Sequence, residues 1–397
     1  MTDFAKTRDK FHLPAGIIYL DGNSLGPLPK AAKDRVARML TDEWGELLIR
    51  GWNDAGWMAQ PRTIGDRVGR LIGAAPGTVV MGDTLSIKIY QALAAALALN
   101  PDRRVIVSDT GNFPTDLYMA SGLLKTMGRG HRLEIVAPQE VESAIDRNVA
   151  VLMLTDVDYR TGRLHDMKAL TRKAHAAGVM TVWDLAHSAG AIHVDLAGAG
   201  ADFAVGCTYK YLNGGPGSPA FIYVAPKHAE RAVPALSGWM GHEAPFAFDL
   251  DYRAGRGIER MRVGTPPIIA FAALDAALDV WDDVDITDVR KASIALSDLF
   301  IAEVERRCLG LELVSPHEGA ARGSHVSFRH ASGYAVMQAL IERGIIGDFR
   351  APDIMRFGFA PLYIDESDVR AAAGRLAETI DRHLWDQPRF HRRAAVT

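Results

Sequence analysis

Between residues 79 and 225 the chain alternates two kinds of apolar pattern. Short runs such as "TVVMGD", "RVIVSD", "VAVLMLTDV", "VMTVWDLA", "FAVGCTYK" and "AFIYVA" are hydrophobic continuously, not at every second position. That is how strands covered on both faces read. Between them lie "SIKIYQALAAALAL", "TDLYMASGLLKTM" and "MKALTRKAHAAG", with helical spacing. The alternation predicts an α/β fold, a mostly parallel sheet flanked by helices, which takes ligands at the carboxyl ends of its strands. Upstream, "PKAAKDRVARMLTDEW" sets Ala32, Val36, Met39 and Leu40 at helical spacing behind Pro29, predicting an N-terminal helix. From about Asp285 a helix, the strands "LELVSP" and "SHVSFRH", a helix "YAVMQALIERG" and a last helix near Asp365 to His383 predict a smaller α+β C-terminal domain. The expected division is an N-terminal segment and helix over 1–50 packing with the small domain, a large domain over 51–284 and the small domain over 285–397.

Composition narrows the class. Of 397 residues, 48% are hydrophobic, enough for a large core. Lys plus Arg number 45 against 48 Asp plus Glu, a formal charge of −3, which gives no footprint for nucleic acid or an anionic membrane. Two cysteines, Cys207 and Cys308, argue against a disulfide framework or a cysteine-rich metal site, and no metal is expected. The first residues lack the apolar core of a signal peptide, and the run Ala92 to Leu99 is too short to span a bilayer. A soluble, cytoplasmic protein is expected. "GAGADF" lacks the third glycine of a dinucleotide fingerprint, and neither a Walker A sequence nor HExxH occurs. The tail "RFHRRAAV" reads as a solvated basic end.

Candidate chemistry lies at strand ends. "VWDLAHSAGA" puts Asp184 at the end of an apolar run and His187 three residues on; "VGCTYKYLNGG" ends the next run with Lys210 beside glycines. Taken singly, Asp184 reads as a helix cap and Lys210 as a strand-end lysine reaching solvent. Taken together, neighbouring parallel strands deliver an aspartate and a lysine to one sheet edge. A lysine forms a Schiff base with pyridoxal phosphate, and an acidic partner keeps its pyridine nitrogen protonated so that the ring accepts electrons. "GDTLSIKIYQALAAA" offers a hydroxyl and backbone N–H groups at a helix start for a phosphate. "SDTGNFPTD" offers Phe113 to lie on a ring, with Thr115 and Asp116 beside it.

"YLDGNSLGPLP", "NFPTD", "DLAHSAGA", "TYKYLNGGPG", "GWMGHE" and "RVGTPPI" together resemble the kynureninases, pyridoxal-phosphate enzymes of fold type I and aminotransferase class V, from about Tyr19 to Tyr363. The resemblance implies hydrolysis of L-kynurenine to anthranilate and L-alanine, a step of tryptophan catabolism. It implies Lys210 as the Schiff-base lysine and proton carrier, Asp184 on the pyridine nitrogen and His187 near the ring hydroxyl. It places Leu85, Ser86, Tyr209 and Trp239 on the phosphate, with Thr265 reaching it from the partner subunit of a homodimer with shared sites. Phe113, Pro114, Thr115, Asp116 and Thr155 should border the ring. Asn23, Gly264 and Arg356 should meet the substrate, Arg356 at its carboxylate, and Tyr209 should serve as acid and base at the carbonyl. Small Gly264 and Thr265, with Trp52 or Trp57 as an apolar wall, lean towards L-kynurenine over its 3-hydroxy form. Asp156, Asp158 and Lys88 depart from the expected pattern and read as changes of substrate choice or of surface. The competing readings are another class V enzyme (a cysteine desulfurase or an aminotransferase) and a regulator that binds the cofactor without turnover.

Overall fold

The computed structural model of the chain describes residues 1–128, 130–308 and 310–394. Its strands in chain order begin with β1 (Ile18–Tyr19), β2 (Val79–Met81), β3 (Val105–Asp109), β4 (Arg132–Val136), β5 (Val149–Thr155), β6 (Met180–Asp184), β7 (Phe203–Gly206) and β8 (Phe221–Val224). The last seven form one sheet in the order β2-β8-β7-β6-β5-β3-β4. Strands β3 to β7 pair in parallel, whereas β8 runs antiparallel to both neighbours. The reason is local: no helix intervenes between β7 and β8, so the chain turns straight back through Asn213, Gly215 and Gly217 at positive φ.

The continuous apolar runs have a direct explanation in packing. Val80, Ile106, Val151, Val182 and Val205 bury one way, with Ile89, Leu93 and Ala96 of helix Leu85–Leu99. Their chain neighbours Val79, Val107, Leu152, Trp183 and Ala204 bury the other way, in a second apolar layer that continues into the C-terminal domain. Both faces are covered, so alternation disappears. Edge strand β4 is the exception, half exposed, and no apolar run announced it.

The C-terminal domain holds β9 (Glu312–Leu313), β10 (His325–Arg329), β11 (Ile345–Ile346), β12 (Asp348–Arg350) and β13 (Ile354–Gly358), with helices Ile286–Arg307, Gly333–Glu342 and Glu366–Asp381. Four of these strands make an antiparallel sheet in the order β12-β13-β10-β9. The fifth, β11, pairs in parallel with β1, fastening the N-terminal segment here. Helix Lys30–Arg38 packs on helix Ile268–Leu278. It does not continue as an α-helix to Trp44 as expected: from Met39 to Leu47 the turns widen to π type. Leu40, at the edge of the expected stripe, is 39% exposed, while Met39 is buried. Among the described residues no helix is long and apolar enough to cross a membrane.

Candidate active site

The register of the large sheet places Thr155 opposite Asp184 and Asp184 opposite Val205, all at carboxyl ends. Lys210 stands in the turn four residues beyond β7. Its Nζ lies 3.1 Å from Nε2 of His187, so its hydrogen-bond partner is an imidazole and not a carboxylate. Burial lowers the Lys210 pKa, with Cys207 and Asp184 opposing. Asp184 is buried; burial raises its carboxyl to about 6, against the pull of Lys210, the Ala186 N–H at 2.9 Å and the Thr155 hydroxyl. Asp116 is also buried, and burial followed by the Asp184 charge pushes it well above the usual carboxylate range. Its Oδ2 has no hydrogen-bond partner among the described residues. His187 is held neutral, by burial first and then by the Lys210 charge. Tyr209 keeps its proton because Cys207 and burial both raise its pKa, and its ring lies 5.9 Å from Lys210 Nζ.

Helix Leu85–Leu99 opens beside this edge. The chain reaches it through Gly82 at φ 146° and Asp83 at φ 55°, and no side chain caps its first turn. Half-buried Leu85 and Ser86 therefore sit where uncapped N–H groups and the helix dipole favour an anion. Lys88 is neither a surface change nor a visible part of the site. It is fully buried, with Nζ 3.1 Å from Asp83, 3.0 Å from Gln91 and 3.2 Å from the Met261 carbonyl, and tethers this helix to the 257–261 turn. Asp156 and Asp158 are likewise buried, not surface: Ser188 donates to Asp156 at 2.6 Å, and Asp158 caps the N–H groups of Arg160 and Thr161.

Phe113 precedes helix Pro114–Met127, is 39% exposed and meets Tyr159 edge-on at 5.1 Å. Thr115 is half-buried in the first turn of that helix. Trp239 and Thr265 belong to one surface, since Met240 N–H donates to the Val263 carbonyl at 3.2 Å. Trp239, Gly264 and Thr265 are all exposed on it. Trp57 packs in an apolar cluster with Met39 and Ala272, and its indole N–H donates to Glu43. Trp52 meets its ring edge-on at 5.9 Å.

The small sheet supplies the opposite wall. His325 pairs with Gly358, Ser327 with Arg356, Arg356 with Asp348, and Arg350 with Ile354. Directly opposed residues share a face in an antiparallel sheet, so His325, Ser327, Arg356, Asp348 and Arg350 line one polar face. Arg356 is buried and engaged along its whole fork. Nε donates to Asp348 at 2.7 Å, Nη2 to Asp348 and to Ser24 at 3.0 Å, and Nη1 to the Tyr159 carbonyl. Burial alone would raise the Asp348 carboxyl, yet Arg356 and Arg350 bring it down to about 2. Asp21 rises to about 7 through burial and the Asp348 charge. Asn23 is fully buried and its amide has no partner among the described residues. His325 is fully buried 5.6 Å from the His187 ring, neither nitrogen has a partner among the described residues, and burial holds it neutral, near pKa 3. Sequence reading singled out Arg356 and Asn23 but missed Asp348, Arg350 and His325. The period-two pattern D-x-R in "GDFR" was the available signal.

Residues 289–376 match the family model described as the kynureninase C-terminal domain. The chain is 52% identical over 400 residues to a kynureninase of Pseudomonas fluorescens, covering 99% of this chain and 96% of that one. The chain belongs to the kynureninase family. A kynureninase of Burkholderia pseudomallei (strain 1106a) is 51% identical over the same shares. Among solved structures, an apo cysteine desulfurase of Thermococcus onnurineus NA1 superposes with a TM-score of 0.81 over 96% of this chain and 99% of that one, at 18% identity. A C-DES mutant with glycine covalently linked to the PLP cofactor gives 0.80 over 95% and 100%, at 17%. These likenesses show the fold, which is the α/β class expected from the alternating runs. Within this kynureninase-family fold, Lys210, Asp184, Thr155, Asp116 and His187 converge on one sheet edge. Asn23 packs against Gly358, two residues beyond Arg356, so closely that a Cβ there would come within 2.2 Å of Asn23 Oδ1, and its neighbour Ser24 accepts from Arg356.

Proposed function

We propose that the chain hydrolyses L-kynurenine to anthranilate and L-alanine with pyridoxal phosphate as cofactor. The observation that carries the reading is Lys210, partly buried, paired to an imidazole and set beside Asp184, in a chain so close to named kynureninases over its whole length. The residues present fit the cofactor: an uncapped helix start for its phosphate, an unpartnered buried Asp116 oxygen and an amine without an ion partner. When bound, the cofactor supplies an electron sink for the carbon–carbon cleavage.

The chain's own groups do the rest. Lys210 holds the cofactor and carries the proton at the substrate Cα; its lowered pKa favours the free amine that this task needs. Asp184 would hold the pyridine nitrogen, and a protonated Asp116 would leave one negative charge there instead of two. Tyr209, protonated, donates to the carbonyl oxygen as water adds, and Arg356 receives the α-carboxylate. Trp239 is proposed to meet the phosphate with Leu85, Ser86 and Tyr209, and exposed Thr265 to reach it from the partner subunit, making a homodimer with shared sites. The desulfurase reading fails on its nucleophile, since Cys207 and Cys308 are both buried with raised pKa values. The test is direct. Purified protein with L-kynurenine should release fluorescent anthranilate and Lys210→Ala should not; turnover by Lys210→Ala, or none by wild type, overturns the reading.

A further inference from the structure

We infer that His325 is a second recognition group for the substrate carboxylate, donating a ring N–H beside Arg356. The inference rests on the kynureninase reading for the identity of the substrate, and on three observations for the role of His325.

First, Arg356 does not arrive with its fork open. Nε and Nη2 grip Asp348, Nη2 also meets Ser24, and Nη1 meets the Tyr159 carbonyl. Five N–H groups less four engaged leave one, on Nη1, for an incoming carboxylate. A carboxylate has two oxygens, so the second needs another donor or must break the grip on Asp348.

Second, His325 is a buried side chain with no partner for either nitrogen among the described residues. Leaving such a group unpaired is unfavourable, and a ligand atom bonded to it would relieve that. The Nε2–Cδ2 edge of the ring lies against Gly162, where a Cβ would sit 3.4 and 3.5 Å away. Nδ1, on the other side of the ring, is the nitrogen proposed to donate. Being neutral, the ring adds a donor without a third positive charge beside Arg356 and Arg350.

Third, position on the sheet separates His325 from its rival Arg350. Arg356 stands mid-face, opposite Ser327 and Asp348. His325 lies towards one end, two residues from Ser327, and Arg350 towards the other, opposite Ile354. The His325 end is the one that meets His187, which meets Lys210. A substrate joined at Lys210's position and reaching Arg356 from the His187 side passes the His325 end of this face, and the Arg350 variant in the test below separates the two.

The experiment titrates the absorbance of the holoenzyme's cofactor with L-alanine and with L-alaninamide, which keeps the amine and replaces the carboxylate by a neutral amide. His325→Leu and His325→Phe should weaken L-alanine roughly tenfold to hundredfold, the range for a hydrogen bond to a charged group. L-Alaninamide should stay within about threefold, the scatter of an innocuous substitution. His325→Asn, which restores a donor, should recover most of the loss. The inference is overturned if L-alanine binding stays within about threefold in both apolar variants. An equal loss for both ligands, or a carboxylate-selective loss appearing only in Arg350→Gln, overturns it too. Wild-type anthranilate release is measured separately; its absence would dispose of the kynureninase reading, while the alanine-to-alaninamide ratio would still judge His325.

Discussion

Gly26→Ala should damage the active site from a position that touches no substrate. Gly26 N–H donates to the Tyr209 carbonyl at 2.7 Å, pressing the N-terminal segment onto the turn that carries Lys210. A Cβ at Gly26 would lie 2.3 Å from the Lys210 carbonyl oxygen, 2.3 Å from Asn213 Oδ1 and 2.7 Å from Asn213 Cα. Ordinary contact begins at 3.4 Å, so one side must retreat by about 1 Å. The turn is poorly placed to give way. Asn213 is already in the left-handed region at φ 57°, and its N–H holds the Lys210 carbonyl at 2.9 Å. Gly26 itself has no positive φ, so alanine meets no backbone penalty and the whole effect is steric. Overpacking of this kind costs about 1–3 kcal/mol. A misplacement of about 1 Å at a reacting group costs about a hundredfold in rate. The assay pairs anthranilate release with thermal melting of the holoenzyme, using Gly122→Ala, which has nothing within 4 Å of its Cβ, as the stability control. Gly26→Ala with wild-type kcat and wild-type melting would refute the reasoning.

Two further outcomes follow from buried carboxylates. Asp348→Asn removes the partner of Arg356 and should cost about 3–5 kcal/mol, as breaking a buried pair does, read as a lower urea midpoint by both fluorescence and circular dichroism. Because Asp348 is held at about 2 against an ordinary 3.8, it contributes about 2 kcal/mol above pH 4, lost as pH falls from about 4 to 2. Asp348→Asn should flatten the acid limb there, and an unchanged midpoint and acid limb would count against the pair. Asp156 has the opposite sign. Burial raises it to about 7, so the folded state keeps a proton that the unfolded chain gives up near 3.8, and stability falls as pH rises between those values. Asp156→Asn should remove up to about 4 kcal/mol of that slope and equal or exceed wild type at pH 8; a variant that is weaker at pH 8 and as pH-dependent as wild type would disprove the assignment.

The large sheet was legible because its strands are buried on both faces. Residues such as Val151 and Leu152 bury in opposite layers, and the sequence carries that as unbroken hydrophobicity. Lys210 and Asp184 were legible because charge at the end of such a run is conspicuous. The small sheet was harder to read, because its site-facing side is polar. His325, Ser327, Asp348, Arg350 and Arg356 occupy positions where a strand would ordinarily show its core; "LELVSP" and "SHVSFRH" stood out, and β12 and β13 did not. Their roles depend on pairing between β10, β12 and β13, and register is not written in any one strand. Lys88, Asp156 and Asp158 looked anomalous for the same reason: their partners Met261, Ser188 and Thr161 are tertiary or turn neighbours that spacing does not reveal.

The pairing of β1 with β11 has a consequence for how the protein is made. Leu20 N–H bonds to the Ile346 carbonyl, and Gly358 N–H returns to the Leu20 carbonyl. Leu20 thus finds its partners more than three hundred positions later in the chain. At about 5–20 residues per second, synthesis takes on the order of tens of seconds to reach them. Throughout that interval the sheet of β2 to β8 can assemble, but Asn23, Ser24 and Gly26 have no small-domain wall to complete. Completion of the Arg356 wall therefore waits until β11 to β13 have been made, and a truncation before β11 would leave the large sheet without it.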